Sequence, residues 1–303
     1  MGGNIFSKAA PIKKEHIEPT LKMFVDEIGI IFPKAKKYFN NLTKLGSVGK
    51  KDYSGDIDLA MPEQALKNIE DWGIQEDKVK ENFIKFKKRA RTATDKQLIR
   101  RAIITEIGLK IEESNTDISV DLKGSGSGTL FFAYPQYSED YEKQPVDVQI
   151  DINLGDVDWL SFAYYSNVYK GNVKGLHRTQ LMLSMFGNKG YTFSHNYGVK
   201  NRETGDIEAD TTRKAIQLLS SLYNISFTKD ILSDYFTLID TLRKELPEQE
   251  LNDILDIYLK ILDRTRADIP EDLQKYWISN QGRLGLTGKF LPEDSKLYQF
   301  KTA

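Results

Sequence analysis

Between Val146 and Leu154 apolar and polar residues alternate without a break: Val146, Val148, Ile150, Ile152 and Leu154 against Asp147, Gln149, Asp151 and Asn153. A side-chain period of two is the signature of an extended strand with one face in a core, and no helix satisfies it. Ile57, Leu59 and Met61 repeat the pattern, with Asp56, Asp58 and Ala60 opposite them. Ile118, Val120 and Leu122 form another candidate strand, and Thr129 to Tyr134 a further one. Phe162 to Tyr165 is the last in this region. Gly124-Ser125-Gly126-Ser127-Gly128, between two of these strands, reads as a flexible loop. The chain is therefore committed to a sheet whose polar face carries aspartates.

Elsewhere the period is that of a helix. Leu21, Phe24, Val25, Ile28, Ile31 and Phe32 lie at helical spacing, Pro33 interrupts, and the pattern resumes at Ala35 to Phe39. From Pro62 to Leu109 the spacing is again helical, through Leu66, Ile69, Trp72, Val79, Phe83, Phe86, Leu98, Ile99 and Ile103. Phe83 and Phe86 fit the core-facing stripe of that segment better than a stacking platform. Within it, residues 78–101 hold ten Lys or Arg (Lys78, Lys80, Lys85, Lys87, Lys88, Arg89, Arg91, Lys96, Arg100 and Arg101) against Glu81 and Asp95 alone. At net charge −1 for the whole chain, this local excess is the one feature of the charge pattern that favours a nucleic-acid partner. Ile216, Leu219 and Leu222, then Ile254, Leu255, Tyr258, Leu259 and Leu262, predict a helical C-terminal portion.

These elements predict an α+β fold with a small, mixed, mostly antiparallel sheet flanked by helices. At 303 residues two units are expected: 1–174, with a basic helical insertion at 62–109, and 175–303. The apolar runs, such as Ile28 to Phe32, are too short to cross a bilayer, and no signal segment is read at the start, so a cytoplasmic location without a membrane partner is expected. Phe6 stands at the sixth position, where N-terminal lipidation needs Ser or Thr.

The chain contains no cysteine, which excludes disulfides, thiolate metal sites and a cysteine nucleophile. Its three histidines, His16, His177 and His195, do not pair at i, i+4, which excludes an H-E-x-x-H zinc hydrolase. His177, Arg178 and His195 read as structural or surface residues. Carboxylates remain as metal donors, and these favour Mg2+ or Mn2+.

Alternation along the strand places Asp56 and Asp58 on one face, roughly 6 to 7 Å apart, a spacing that suits two divalent cations. A neighbouring strand has to supply a third carboxylate. Asp151 is the first choice, and Asp147, on the same face, the alternative. Gly46-Ser47 permits backbone N–H groups to approach phosphate oxygens closely, and Lys50, Lys51, Ser54 and Gly55 line the same loop.

The string Gly46-Ser47-Val48-Gly49-Lys50-Lys51-Asp52-Tyr53-Ser54-Gly55-Asp56-Ile57-Asp58-Leu59 resembles the G-S…R-R-G…S-G-D-h-D-h signature of the DNA polymerase beta-like (polymerase X) nucleotidyltransferases, with two residues fewer in the loop. The resemblance implies a palm-type sheet and a thumb-like region toward the C-terminus. It implies that Asp56, Asp58 and a third aspartate hold two metal ions, that Gly46, Ser47, Ser54 and Gly55 contact the triphosphate, and that Lys50 or Lys51 replaces the family's arginine. Phe162-Ala163-Tyr164-Tyr165-Ser166-Asn167 is similar to the family's Y-F-T-G-S turn, which implies that Tyr164 and Tyr165 pack against the incoming nucleotide; its distance along the chain favours Asp151 over Asp147. Asn172 matches a base-contacting asparagine. Lys189 to Phe193, Gly205 to Ile207 and the helix from Thr211 resemble the closing subdomain, in which a helix follows a hairpin. About 45 residues precede Gly46, too few for the family's lyase domain and DNA grips, and the insertion at 62–109 has no family counterpart.

The expected function is transfer of a nucleoside monophosphate from an NTP or dNTP to a nucleic-acid 3′-hydroxyl, with release of pyrophosphate. The alternatives are a nucleotidyltransferase acting on a protein, small molecule or nucleotide, and a non-catalytic nucleic-acid-binding module.

Overall fold

The computed structural model describes residues 5–90, 93–124, 128–167 and 171–286. Arg91, residues 1–3 and Ser125 to Ser127, which enter the sequence expectations, lie outside them. The chain forms two compact units, Met1–Ser161 and Phe162–Ala303. The sequence-based boundary at residue 174 falls within the second.

The strands of the first unit are β1 (Ile12–Lys13), β2 (Thr43–Lys44), β3 (Tyr53–Ser54), β4 (Ile57–Pro62), β5 (Ser119–Val120), β6 (Thr129–Tyr137) and β7 (Lys143–Gly155). Its helices are α1 (Ile17–Ile31), α2 (Lys36–Phe39), α3 (Glu76–Lys87) and α4 (Asp95–Glu112), with α5 (Val157–Ala163) at the unit boundary. Five strands form one mixed sheet in the order β2-β4-β7-β6-β5, in which β4 and β7 run parallel and every other neighbour antiparallel. β1 and β3 form a separate antiparallel pair. The α+β class and the mixed sheet expected from the periodicities are present.

Local chemistry sets the limits of these elements. Phe32 leaves the helical region (φ −127°, ψ 70°) because the ring of Pro33 crowds the residue before it, so α1 stops there. Thr94 and Gln97 cap α4 reciprocally, satisfying two amide donors that the first turn leaves open. β5 is shorter than the span Ile118 to Leu122, because the Asp121 side chain accepts from the N–H groups of Lys123 and Gly124 (3.0 Å each) and turns the chain. The strand expected over Phe162 to Tyr165 is corrected: Phe162 and Ala163 close α5. The Asp156 carboxylate, 2.7 Å from the Trp159 N–H, satisfies the first turn of that helix.

One sheet face is apolar. Ile57, Leu59, Met61, Ile150, Ile152, Leu154, Leu130 and Phe132 are buried on it, in one core with Phe24 and Ile28 of α1 and Ile104, Ile107 and Ile111 of α4. The Phe24 ring lies 5.4 Å from those of Phe132 and Tyr134. Fully buried Trp72 contacts Phe32 and Phe39 and donates its indole N–H to Ala65 O (2.7 Å). Phe83 and Phe86 pack partly against this core, as their spacing predicts. With both helices occupied on that side, Asp56, Asp58 and Asp151 are left to the other face.

The second unit contains α6 (Gly175–Asn188), a three-stranded antiparallel sheet of β8 (Tyr191–Ser194), β9 (Gly198–Asn201) and β10 (Ile207–Ala209), then α7 (Thr212–Tyr223), α8 (Lys229–Ser233), α9 (Tyr235–Glu245), α10 (Glu248–Thr265) and α11 (Gln274–Leu284). A hairpin followed by a helix is the order expected there. The side chain of Thr211 accepts from Lys214 N, that of Thr228 from Ile231 N and that of Asp234 from Thr237 N, which starts α7, α8 and α9. Leu181, Met185 and Phe186 of α6 and Leu255, Tyr258 and Leu262 of α10 are buried. Gly198 holds φ +93°, and a Cβ there would stand 2.0 Å from Ala209 O, so only glycine lets β9 and β10 pair. No described helix is long and apolar enough to cross a membrane.

A candidate metal centre

The parallel register of β4 and β7 sets Asp58 directly beside Asp151, with Ile57 beside Ile150 and Leu59 beside Ile152. Paired residues of parallel strands point to the same face, so burying the isoleucines and Leu59 forces both aspartates to the opposite side. Asp56 lies two residues before Asp58 and shares that side. One carboxylate oxygen from each of Asp56, Asp58 and Asp151 lies within 4.8 Å of the others. Asp147 is not in this group. It sits four residues earlier in β7, roughly 13 Å along the strand, ahead of the first β4 pairing at Ile150. Its carbonyl accepts instead from Ala10 N (2.9 Å) and Gln136 Nε2 (3.2 Å). Of the two sequence candidates, Asp151 joins the pair.

Three carboxylates this close repel one another, and burial adds to the cost. Burial and the charge of Asp56 push the Asp151 carboxyl up to about 7, although its bonds to Gln149 oppose the shift. Asp58 is likewise raised, first by desolvation and then by Asp56 and Asp151, with the neighbouring Asn153 amide in opposition. The neighbouring polar side chains hold the acids in place. Gln149 Nε2 donates to both oxygens of Asp151 (2.9 and 3.1 Å), while its Oε1 accepts from the backbone N–H of Ile5 (3.1 Å). Thr129 Oγ1 donates to Asn153 Oδ1 (2.9 Å). Gln149, Asn153 and Thr129 are all buried. Three hard oxygen donors clustered against their own repulsion form a group that can hold a metal ion.

The Gly46-Ser47 turn is tied to the same place. Leu45 N donates to Asp58 O (2.9 Å), extending the β2–β4 ladder by one residue and setting the turn beside the start of β4. Gly46 has φ +59° and Gly49 φ +71°, backbone that an L side chain resists. Val48 N and Lys50 N bond within the turn. The N–H groups of Gly46 and Ser47 have no acceptor among the described residues. Desolvation lowers the Lys50 ammonium below its ordinary value; Lys51 is half-exposed and Gly55 exposed. Ser54 differs from its neighbours. It is 2% exposed, opposite Ile12 in the β1–β3 pair, and its hydroxyl is enclosed without a hydrogen-bond partner among the described residues.

Tyr164 and Tyr165 belong to the second unit, where the Tyr164 ring lies 4.9 Å from that of His195. Asn172 Nδ2 donates to Ile269 O (2.6 Å). His177 is buried, bonded at Nδ1 to Lys174 N (2.8 Å) and at Nε2 to Asp268 O (2.9 Å), the structural role expected of it. Arg178 is fully buried and donates to the carbonyls of Leu232 and Phe162 (2.6 Å each) beneath the Phe162 ring.

In the basic segment two of the ten cations are matched from outside the window. Lys80 pairs with Glu76 (3.0 Å) and Lys96 with Glu63 (3.2 Å). Inside it, Lys78 pairs with Glu81 and Lys87 with Asp95. Arg101 lies over the Phe86 ring. Lys85, Lys88 and Arg89, at the C-terminal end of α3, are exposed and have no ion pair among the described residues.

No protein-family model matches the chain, and no curated protein matches it.

Proposed function

We propose that this chain is a metal-dependent nucleotidyltransferase of the DNA polymerase beta type, built on a palm-type sheet. The observation that carries this reading is the β4–β7 register, which joins Asp58 to Asp151 and leaves Asp56 and a glycine turn with two open N–H groups at the same strand end. Asp56, Asp58 and Asp151 hold two Mg2+ or Mn2+ ions. Bound there, the ions lower the pKa of the attacking hydroxyl and neutralise charge on the leaving pyrophosphate. Gly46 and Ser47 N–H groups donate to the triphosphate, assisted by Lys50 and Lys51. Gln149 orients Asp151. A bond forms between the acceptor oxygen and the α-phosphorus, the bond from that phosphorus to the pyrophosphate oxygen breaks, and the hydroxyl proton leaves to solvent.

A nucleic-acid 3′-hydroxyl is the acceptor we favour, with Lys85, Lys88 and Arg89 as the phosphate contacts. A second reading, transfer to a protein, small molecule or nucleotide, is supported by the ion pairs of Lys78, Lys80, Lys87 and Lys96, which engage four of the ten cations. Incubation with labelled NTPs or dNTPs and Mg2+, with and without a primer strand, separates them. Primer extension that Asp56→Ala abolishes is the expected result. Labelled product without extension selects the second reading, and no product with any nucleotide or acceptor overturns both.

A further inference from the structure

In the first unit a cleft of about 890 Å3 opens between α3, α4 and the turns that follow β4. That volume falls in the range of small-molecule sites, roughly 300 to 1,000 Å3. Leu66, Ile69, Val79, Phe83, Ile99 and Ile103 give it an apolar lining, and Ile99, on α4, is 45% exposed. An apolar surface of this kind is costly in water unless something covers it.

The charges at its rim are unequal. Lys80 is paired with Glu76 and Lys96 with Glu63, so four of the charged lining residues cancel. Arg100 and Lys67 remain, and Lys67 is exposed to solvent, which leaves Arg100 as the half-buried cation without a counter-ion among the described residues. Arg100 Nη2 donates to Gly128 O (3.2 Å), a neutral partner, while its Nε is enclosed and has no acceptor among the described residues. No described carboxylate stands within 4.0 Å of it. Glu63, the acid that acts on it electrostatically, is committed to Lys96. A half-buried guanidinium without a counter-ion beside an apolar floor is matched by one anionic group attached to a hydrocarbon.

We propose that this cleft binds a single-headed amphiphile, a long-chain fatty acid, with its alkyl chain over Leu66, Val79, Ile99 and Ile103 and its carboxylate on Arg100. A nucleic-acid strand carries a charge at every nucleotide and needs a row of open cations, which the paired rim does not offer. A stable protein partner engages roughly 20 to 30 residues a side, against the twelve that line the cleft. The inference is independent of the reading of the three aspartates.

The absence of cysteine permits a clean test. Ile99→Cys is labelled with an environment-sensitive fluorophore and titrated with dodecanoate below its micelle range, with dodecanol, with a single-stranded oligonucleotide, and with increasing unlabelled protein. The expected result is a saturable blue shift with dodecanoate, at least about tenfold weaker response to dodecanol, and a loss of about tenfold or more in dodecanoate affinity in Arg100→Gln. Calorimetry on the unlabelled chain checks the label. If Arg100→Gln does not fold, the dodecanoate-to-dodecanol ratio decides alone. The proposal is overturned by no saturable dodecanoate response, by equal response to the alcohol, by indifference to Arg100→Gln in a folded variant, or by a response to oligonucleotide or added protein in place of dodecanoate.

Discussion

Replacing Asp151 with asparagine should make the metal-free protein more stable at alkaline pH while removing its response to divalent cations. Asp151 is 8% exposed, and its carboxyl is raised from the ordinary 3.8 to about 7. At roughly 1.4 kcal/mol per tenfold, that displacement corresponds to about 4 kcal/mol. The direction follows from proton counting. Between pH 4 and pH 7 the folded chain holds a proton on Asp151 that the unfolded chain has lost, so stability falls as pH rises through that window and the full cost stands above it. Asp58 is raised for the same reasons and steepens the slope. The substituted asparagine keeps an acceptor for Gln149 and cannot ionise. In EDTA, urea unfolding followed through buried Trp72 and Trp159 should show wild type losing several kcal/mol between pH 5 and pH 8 and Asp151→Asn losing much less. Saturating Mn2+ at pH 8 should restore wild type and leave the variant almost unmoved, and Mn2+ affinity should rise from pH 6 to pH 8 as the protons that compete with it leave. Equal pH slopes in the two proteins, or an equal Mn2+ shift in both, would refute the reasoning.

Gly46→Ala should raise KM for the nucleotide far more than it lowers stability, which should fall by about 1 kcal/mol, the cost of forcing a Cβ into φ +59°; nucleotide titration alongside thermal unfolding separates the two effects. Lys85→Ala, Lys88→Ala and Arg89→Ala together should weaken single-stranded oligonucleotide binding and flatten its log–log salt dependence by about 2, measured by fluorescence anisotropy at several ionic strengths. Arg178→Met should destabilise the second unit by about 2 to 4 kcal/mol, because the carbonyls of Leu232 and Phe162 lose a charged donor in a buried place; denaturation through Trp277, which lies in that unit, reads this directly.

The sheet was legible because alternation is a direct imprint of burial: of the β7 residues named from the sequence, Val148, Ile150, Ile152 and Leu154 are buried on the core face, and only Val146, near the start of the strand, is exposed. The partnership of Asp58 and Asp151 was legible only in part. Alternation gives the face of each aspartate but not the register of two strands distant in sequence, and Asp147 has the same parity as Asp151. The pairing of Ile57 with Ile150 decides between them. Gln149 stood on the right face all along, yet an amide carries no charge signature, so its grip on Asp151 could not be read from residue type. Phe162 to Tyr165 misled because aromatic residues suit helix ends and strands alike, and the deciding cap, Asp156, lies outside that run. The ion pairs that quiet the basic segment involve Glu63 and Glu76, which local charge counting excludes by its window.

The parallel pairing of β4 and β7 also has a consequence in time. Asp58 and Asp151 are ninety-three positions apart in the chain, so at about 5 to 20 residues per second a ribosome that has released the first needs roughly 5 to 20 s to release the second. During that interval β2 and β4 can pair, but β4 has a bare edge where β7 belongs, and the acids at its start have no third companion. Contacts of such long separation close late, after the helices between them have formed. Cation uptake on this scheme follows chain completion of the first unit and reports that β7 has docked in its proper alignment.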